Sequence, residues 1–352
     1  MNRQQCYNEI VEAFKQKYDW LGEDFAKQFL LSVASYPIQA YSKPEFRIRR
    51  HLLLFWPPGF LKSHLLRRAQ LILGDKLSMI MSDVSHAALR GTVEANSFIT
   101  PYCLKTPFGV STEFGQVVGP GSQEIVQKLL NVLEEGMVTV SLAKIAYLSD
   151  AKIEDITKEH GIRFLDSNTF SYHTNWVLMA GTYNKQFLID NAFESRFNIL
   201  TPRKRLDGNI IRFISKAPPF SLSQDTIDFL RSEVGNDKPF DCSSQLPDEV
   251  YEHLSTMRDC GQLLSTIACN KWWGNNMTND EIVEIAKDFK AKHESVWKTG
   301  EDKVFDAIES GFNTIEEMMR EADLSRRQVY NILTKIRAKP RIIGGKRVWE
   351  VL

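Results

Sequence analysis

The chain has 352 residues, 43% apolar and 25% charged, and its 44 basic and 44 acidic side chains cancel. Length and composition fit a folded protein of about two to three domains and exclude a low-complexity polymer. Zero net charge means that any hold on nucleic acid must come from local patches rather than a whole-chain field.

Residues 4–36 place apolar side chains at helical spacing (Ile10, Ala13, Phe14, Tyr18, Leu21, Phe25, Phe29 and Leu30), which predicts an N-terminal helical segment over 1–45 that Tyr36-Pro37 ends. His51–Trp56 reads as a buried strand, Pro57-Pro58-Gly59 as a turn and 63–73 as a helix. Strands are predicted at 77–82, 107–112, 137–142, 175–181 and 197–200, and a helix at 122–135 with Ser122 as its N-cap. From 209 to 295 the period is mostly helical, and 301–352 reads as a separate small domain. Five dispersed cysteines, none in a C-x-x-C pair, point to a reducing compartment and away from a zinc site or disulfide frame. The start is charged and amphipathic rather than signal-like, and no apolar run approaches membrane-spanning length. A cytoplasmic protein without a membrane partner, from a prokaryote or a virus-infected cell, is expected.

The segment Trp56-Pro57-Pro58-Gly59-Phe60-Leu61-Lys62-Ser63-His64 lies between a strand and a helix, the setting a phosphate-binding loop requires. Backbone N–H groups of the turn and the helix start can cradle phosphate oxygens. Lys62 would reach the β- and γ-phosphates and the Ser63 hydroxyl would bind Mg²⁺. Two glycines of the G-x-x-x-x-G-K-S/T pattern are replaced, by Trp56 and Leu61, and a side chain at Leu61 crowds the backbone nearest the phosphate.

Pro57-Pro-Gly-Phe-Leu-Lys-Ser-His-Leu-Leu66 resembles the phosphate loop of AAA+ ATPases in the MCM-helicase branch, G-D-P-G-x-A-K-S-x-L-L. The resemblance continues in order over about 50–298. Ser85–Thr92 is similar to the stretch before that family's helix-2 insert. Thr106–Phe114 resembles its Walker B segment, with Glu113 as the glutamate and Thr112 where the metal-side aspartate belongs. Leu130–Lys144 is similar to the stretch that leads to a lysine at the tip of a DNA-facing β-hairpin, so Lys144 inherits that suggestion. Trp176–Asn184 resembles the sensor-1 strand, with Thr182 or Asn184 at the polar position. Glu194-Ser195-Arg196-Phe197 matches the S-R-F motif and makes Arg196 the arginine-finger candidate. Thr256–Leu264 resembles the sensor-2 helix, with Arg258 in the arginine position. The family's large N-terminal DNA-binding region has only a short helical segment in its place, and 147–170 reads as an insertion.

The resemblance implies an α/β AAA+ P-loop core over 46–205, a parallel sheet with helices on both faces, followed by a helical lid over 206–298. It also implies ATP and Mg²⁺ as cofactors. Hydrolysis needs charge neutralisation around the γ-phosphate and a positioned water. Lys62, Ser63, Glu113, the sensor-1 residue, Arg196 and Arg258 would supply these, with Glu113 polarising the water. Thr112 in place of an aspartate removes a charge near the metal and weakens turnover. Arg196 would act on a neighbouring subunit's nucleotide, which implies a homo-oligomer, in this family a hexameric ring. Ile162-Arg-Phe-Leu-Asp166 is a rival Walker B, but about ten residues separate Asp166 from the sensor strand, too few for a helix and its turns.

Within 299–352, residues 302–310 predict one helix, and a second begins at the Thr314/Glu317 capping box. A third helix spans 325–337, and a hairpin over 342–351 turns at Gly344-Gly345. That order is a winged helix-turn-helix with the third helix as recognition helix. Arg326, Arg327, Gln328 and Lys335 lie on that helix and Lys346 and Arg347 on the wing, where bases and phosphates of DNA would be met. The expected function is an ATP-dependent DNA translocase or helicase acting as a ring in replication. The alternatives are an AAA+ initiator, loader or regulator that binds nucleotide but hydrolyses it weakly, and a DNA-binding regulator without nucleotide.

Overall fold

The computed structural model describes residues 1–42, 44, 46–56, 59–81, 86–94, 97–114, 129, 132–134, 136–142, 148–182, 196–202, 208–244, 246–254, 256–297, 304, 307–308, 314–321, 324–335, 338–343 and 346–350. The chain divides into two compact units, 1–246 with 260–282 and 247–259 with 283–352.

The first unit opens with α1 (Arg3–Tyr41), β1 (His51–Phe55), α2 (Lys62–Leu73), β2 (Ser78–Ile80) and α3 (His86–Arg90). A hairpin of β3 (Thr92–Glu94) and β4 (Ser97–Ile99) follows, then α4 (Tyr102–Lys105), β5 (Phe108–Ser111) and β6 (Met137–Ser141). Next come α5 (Asp150–His160), β7 (Arg163–Phe164), β8 (Thr169–His173), β9 (Val177–Thr182), β10 (Phe197–Leu200), α6 (Gly208–Lys216) and α7 (Gln224–Val234).

Five strands form a parallel sheet in the order β10-β1-β9-β5-β2. Parallel strands buried on both faces need continuous apolar runs, which β1 and β9 supply. Alternate residues serve opposite faces. Leu52, Leu54, Val177 and Met179 join α1, α2 and α7 in one core, while Leu53, Leu178 and Ala180 join a second core with Leu89, Leu129 and Val132. Each such side chain contributes about 1.5–3 kcal/mol. Helices therefore flank the sheet, as expected.

His51 sits buried in β1, where Leu178 N–H donates to its Nδ1 at 3.0 Å and its Nε2 meets Leu133 O at 3.2 Å. An accepting Nδ1 leaves the proton on Nε2, so the ring is neutral. Burial, with Arg49, Arg196 and Arg47 adding their charge, pushes its pKa down to about 3.

The expectation that Tyr36-Pro37 ends the first helix is corrected. The helix runs through Pro37 to Tyr41 and closes with Ser42 N–H on Ile38 O at 3.0 Å. An internal proline costs about 3 kcal/mol, and burial of Val33, Ala34, Pro37 and Ile38 in the first core offsets it. The break lies instead at Asp19, with φ 55° and ψ −145°. Phe14 and Phe25 would be about 16 Å apart along a straight helix, yet their rings are 5.3 Å apart. The helix thus folds back on itself at Asp19. Gly22 permits the return, because a Cβ there would stand 2.2 Å from Phe14 O.

The 147–170 insertion folds into α5 and the strand β7, and with β6 and β8 it makes an antiparallel sheet in the order β6-β8-β7. Asp166 is exposed in the β7–β8 turn, where its carboxylate accepts from Asn168 N–H at 2.7 Å. It lies on this small sheet and not at the end of a main-sheet strand. Of the predicted helix over 122–135, residues 129 and 132–134 are described and helical; the rest, like Lys144, lie outside the described residues. No described helix is long and apolar enough to cross a membrane.

A 3-10 turn (Asp248–His253) is followed by α8 (Met257–Trp272) and α9 (Asn279–Trp297). From Cys260 onward α8 belongs to the first unit, where Ala268, Cys269 and Trp272 join the first core. The second unit continues with α10 (Ile315–Glu321), α11 (Arg326–Lys335), β11 (Lys339–Ile343) and β12 (Lys346–Glu350). The expected Thr314/Glu317 capping box is formed, with bonds of 3.0 and 3.3 Å. β11 and β12 pair antiparallel, Ile343 opposite Lys346; the expected turn at Gly344-Gly345 lies outside the described residues. One core joins Val304, Ala307, Ile315, Met318, Val329, Leu333 and Trp349, so helical residues of 304–308, α10, α11 and the hairpin pack as one body.

Candidate nucleotide site

Ligands of open parallel sheets sit outside the carboxyl ends of the strands. There the segments that follow β1 and β5 flank the end of β9. Trp56 leaves β1 with its side chain buried in the first core and its N–H on Thr182 O at 3.2 Å. Pro57 and Pro58 lie outside the described residues. Gly59 has φ +84° and is exposed, with nothing within 4 Å of where a Cβ would stand. Phe60 and Leu61 are half-buried and pack against the same core.

Leu61 is left-handed, with φ 61° and ψ 13°, and caps α2 without a side-chain hydrogen bond. A leucine in that region costs about 1–2 kcal/mol, which is why glycine is the residue usual there. A left-handed residue thus precedes the lysine although it is not a glycine. It aims the first-turn N–H groups of α2 at the loop, where their partial positive charge favours an anion.

Lys62 is the first residue of α2 and only 6% exposed. Its Nζ donates to Trp56 O at 2.6 Å, drawing the helix start back over the loop. Burial lowers its pKa, and the Glu113 carboxylate works the other way. The Ser63 hydroxyl donates to Glu113 Oε1 at 3.3 Å. Glu113 and Thr112 form the turn after β5, which β9 separates from β1. The hydroxyl and the carboxylate therefore meet across the end of β9, where Thr182 is buried. His64 is exposed on the first turn of α2, and its ring meets Tyr18 edge-on at 5.6 Å. Partial burial lowers its pKa, helped by Arg68, Lys17 and Arg67.

Lys62, Ser63, Glu113 and Thr182 are thus brought together. Asn184 lies outside the described residues. Arg196 precedes β10, with 13% of its side chain exposed and its guanidinium paired with Glu134 of the same chain. An arginine finger would have to leave that partner. Arg258 is exposed in the first turn of α8. Thr256 and Asp259 cap that end reciprocally at 2.9 and 3.2 Å. A cation there opposes the helix dipole, and the T-x-x-D spacing was the signal for it. Arg258 belongs to the second unit, and the loop after β1 to the first.

On α11, Arg326, Arg327 and Gln328 are exposed. Gln328 Oε1 accepts from Ser325 N–H at 2.9 Å and from its hydroxyl at 2.7 Å, so its side chain caps its own helix. Arg326 pairs with Glu316 at 3.5 Å. The backbones of Lys335, Lys346 and Arg347 are described and their side chains are not.

Sequence reasoning missed two partners. Trp56 O as the acceptor for Lys62 has no signal, since every residue carries a carbonyl. Glu134 as the partner of Arg196 lies 62 positions away, and no local pattern joins them. No protein-family model matches the chain, and no curated protein matches it either.

Proposed function

We propose that this chain is an ATP-dependent DNA translocase or helicase of AAA+ type, similar in its motifs to the MCM branch and working as a homo-oligomeric ring. The observation that carries the reading is the loop after β1: a left-handed Leu61 sets a buried Lys62 and an uncapped helix start at the carboxyl end of a parallel sheet. A backbone outlier of this kind persists only where its surroundings hold it, and such outliers cluster at ligand clamps.

The donor set suits a triphosphate. Lys62 and the first-turn N–H groups of α2 would hold its phosphates, and exposed Gly59 brings no side chain against them. The Ser63 hydroxyl offers a hard oxygen ligand of the kind Mg²⁺ takes, with the Glu113 carboxylate beside it. Bound ATP supplies the phosphoanhydride bond whose cleavage would drive movement. The chain's own part is electrostatic: Lys62 and the helix start neutralise phosphate charge, and Glu113 orients a water. The second unit would serve as the winged helix that grips DNA, with α11 as its recognition helix. The run 325–347 holds eight basic residues and no acid, which suits phosphate contacts.

Thr112 favours a second reading. A neutral hydroxyl where a carboxylate is expected weakens metal binding and turnover, as in a nucleotide-binding loader or initiator on DNA.

Binding of a fluorescent ATP analogue with Mg²⁺, and turnover with and without single-stranded DNA, test the reading in wild type and Lys62→Ala. The translocase predicts DNA-stimulated hydrolysis and loss of binding in the variant. Tight binding without stimulated turnover selects the second reading. Equal nucleotide affinity in wild type and Lys62→Ala refutes the phosphate loop.

A further inference from the structure

Helix α11 buries Val329 and Leu333, both at 0% exposure, in the core of the second unit. At about 100° per residue, Arg327 and Asn331 fall on the opposite side of the helix, and both are exposed. Their neighbours are engaged. Arg326 pairs with Glu316, Gln328 caps the helix, and the Thr334 hydroxyl donates to Tyr330 O at 2.9 Å. Among the described residues, the side chains of Arg327 and Asn331 have no hydrogen-bond partner within the protein.

These two residue types carry base-specific geometry. The arginine fork matches guanine O6 and N7, and the asparagine amide matches adenine N6 and N7, both on the major-groove edge. Four helical residues span about 6 Å, which is about two base steps at 3.4 Å each. One helix lying in the groove could therefore engage both bases. The stretch 326–347 carries eight basic residues and no acid, charge of the sign that complements phosphate. Duplex RNA is the poorer fit, since its deep, narrow major groove does not admit side chains.

We propose that the second unit reads duplex DNA sequence, with Arg327 recognising a guanine and Asn331 an adenine about two steps away. The inference rests on the DNA-acting reading above and adds a sequence preference to it. Selection of the full-length protein on a randomised duplex library, followed by anisotropy titration of the selected and scrambled duplexes at fixed salt, tests it. The expected result is a guanine- and adenine-containing consensus preferred by about tenfold or more over the scramble. Asn331→Ala should collapse the preference at the adenine position alone. Arg327→Ala should collapse it at the guanine position and, through the lost charge, weaken all duplexes alike. Binding of all duplexes with no consensus, or a consensus that both variants retain, overturns the proposal but spares the DNA-acting reading. No binding to any duplex overturns both. Thermal melting of each variant within a degree of wild type rules out misfolding as the cause.

Discussion

Leu61 offers a test in which the sign alone is informative. Replacing it with alanine or glycine removes the same packing against the first core, so packing cancels between the two variants. What differs is the backbone. Alanine keeps a Cβ in the left-handed region at φ 61°, at a cost of about 1–2 kcal/mol. Glycine escapes that cost but loses about 0.4–1 kcal/mol through its freer unfolded chain. The balance leaves Leu61→Gly more stable than Leu61→Ala by about 1 kcal/mol, or about 2–4 °C in melting temperature for a unit of this size. In ordinary helical backbone the order reverses, with alanine ahead by about 0.5–1 kcal/mol. Denaturant midpoints followed by tryptophan fluorescence would measure the difference. Leu61→Gly should also bind nucleotide at least as tightly as wild type, because it keeps the loop conformation. Alanine equal to or more stable than glycine would refute a left-handed residue before Lys62, and with it the geometry of the site.

Two further outcomes follow from the first unit. His51 is neutral when folded, with its pKa pushed down to about 3, so as pH falls through about 6.5 the unfolded chain takes up a proton that the folded chain refuses. Stability from this residue should drop by about 1.4 kcal/mol per pH unit from about pH 6.5 towards 3. Urea midpoints of wild type and His51→Gln between pH 7 and 5 check it, and parallel slopes would count against it. Gly22→Ala would force a Cβ to 2.2 Å from Phe14 O, a backbone contact that no rotamer relieves. Destabilisation of about 3 kcal/mol or more is expected, read as a lowered melting temperature. A variant as stable as wild type would mean that the helix does not fold back at Asp19.

Much of the architecture was legible in the sequence because its signals are local. The apolar run of β1 and the helix start of α2 bound the candidate loop within a dozen residues. The Thr314/Glu317 box starts its helix by short-range hydrogen bonding. The Thr256/Asp259 and Ser325/Gln328 boxes are equally local; they set Arg258 in a first helical turn and engage the Gln328 side chain in its own helix cap. Pro37 was read by the local rule, and burial outweighed it.

Tertiary structure alone decided the rest. Whether β9 lies between β1 and β5, and hence whether Ser63 meets Glu113, depends on strand order, which contacts far apart in sequence determine. The return of α1 at Asp19, the pairing of Arg196 with Glu134 and the neutral state of His51 likewise arise from side chains that meet only after collapse. Local sequence sets backbone preferences and amphipathic faces, whereas charge partners and buried protonation states depend on what the folded chain packs against them. Candidate residues could therefore be named from the sequence, but which of them share a site could not.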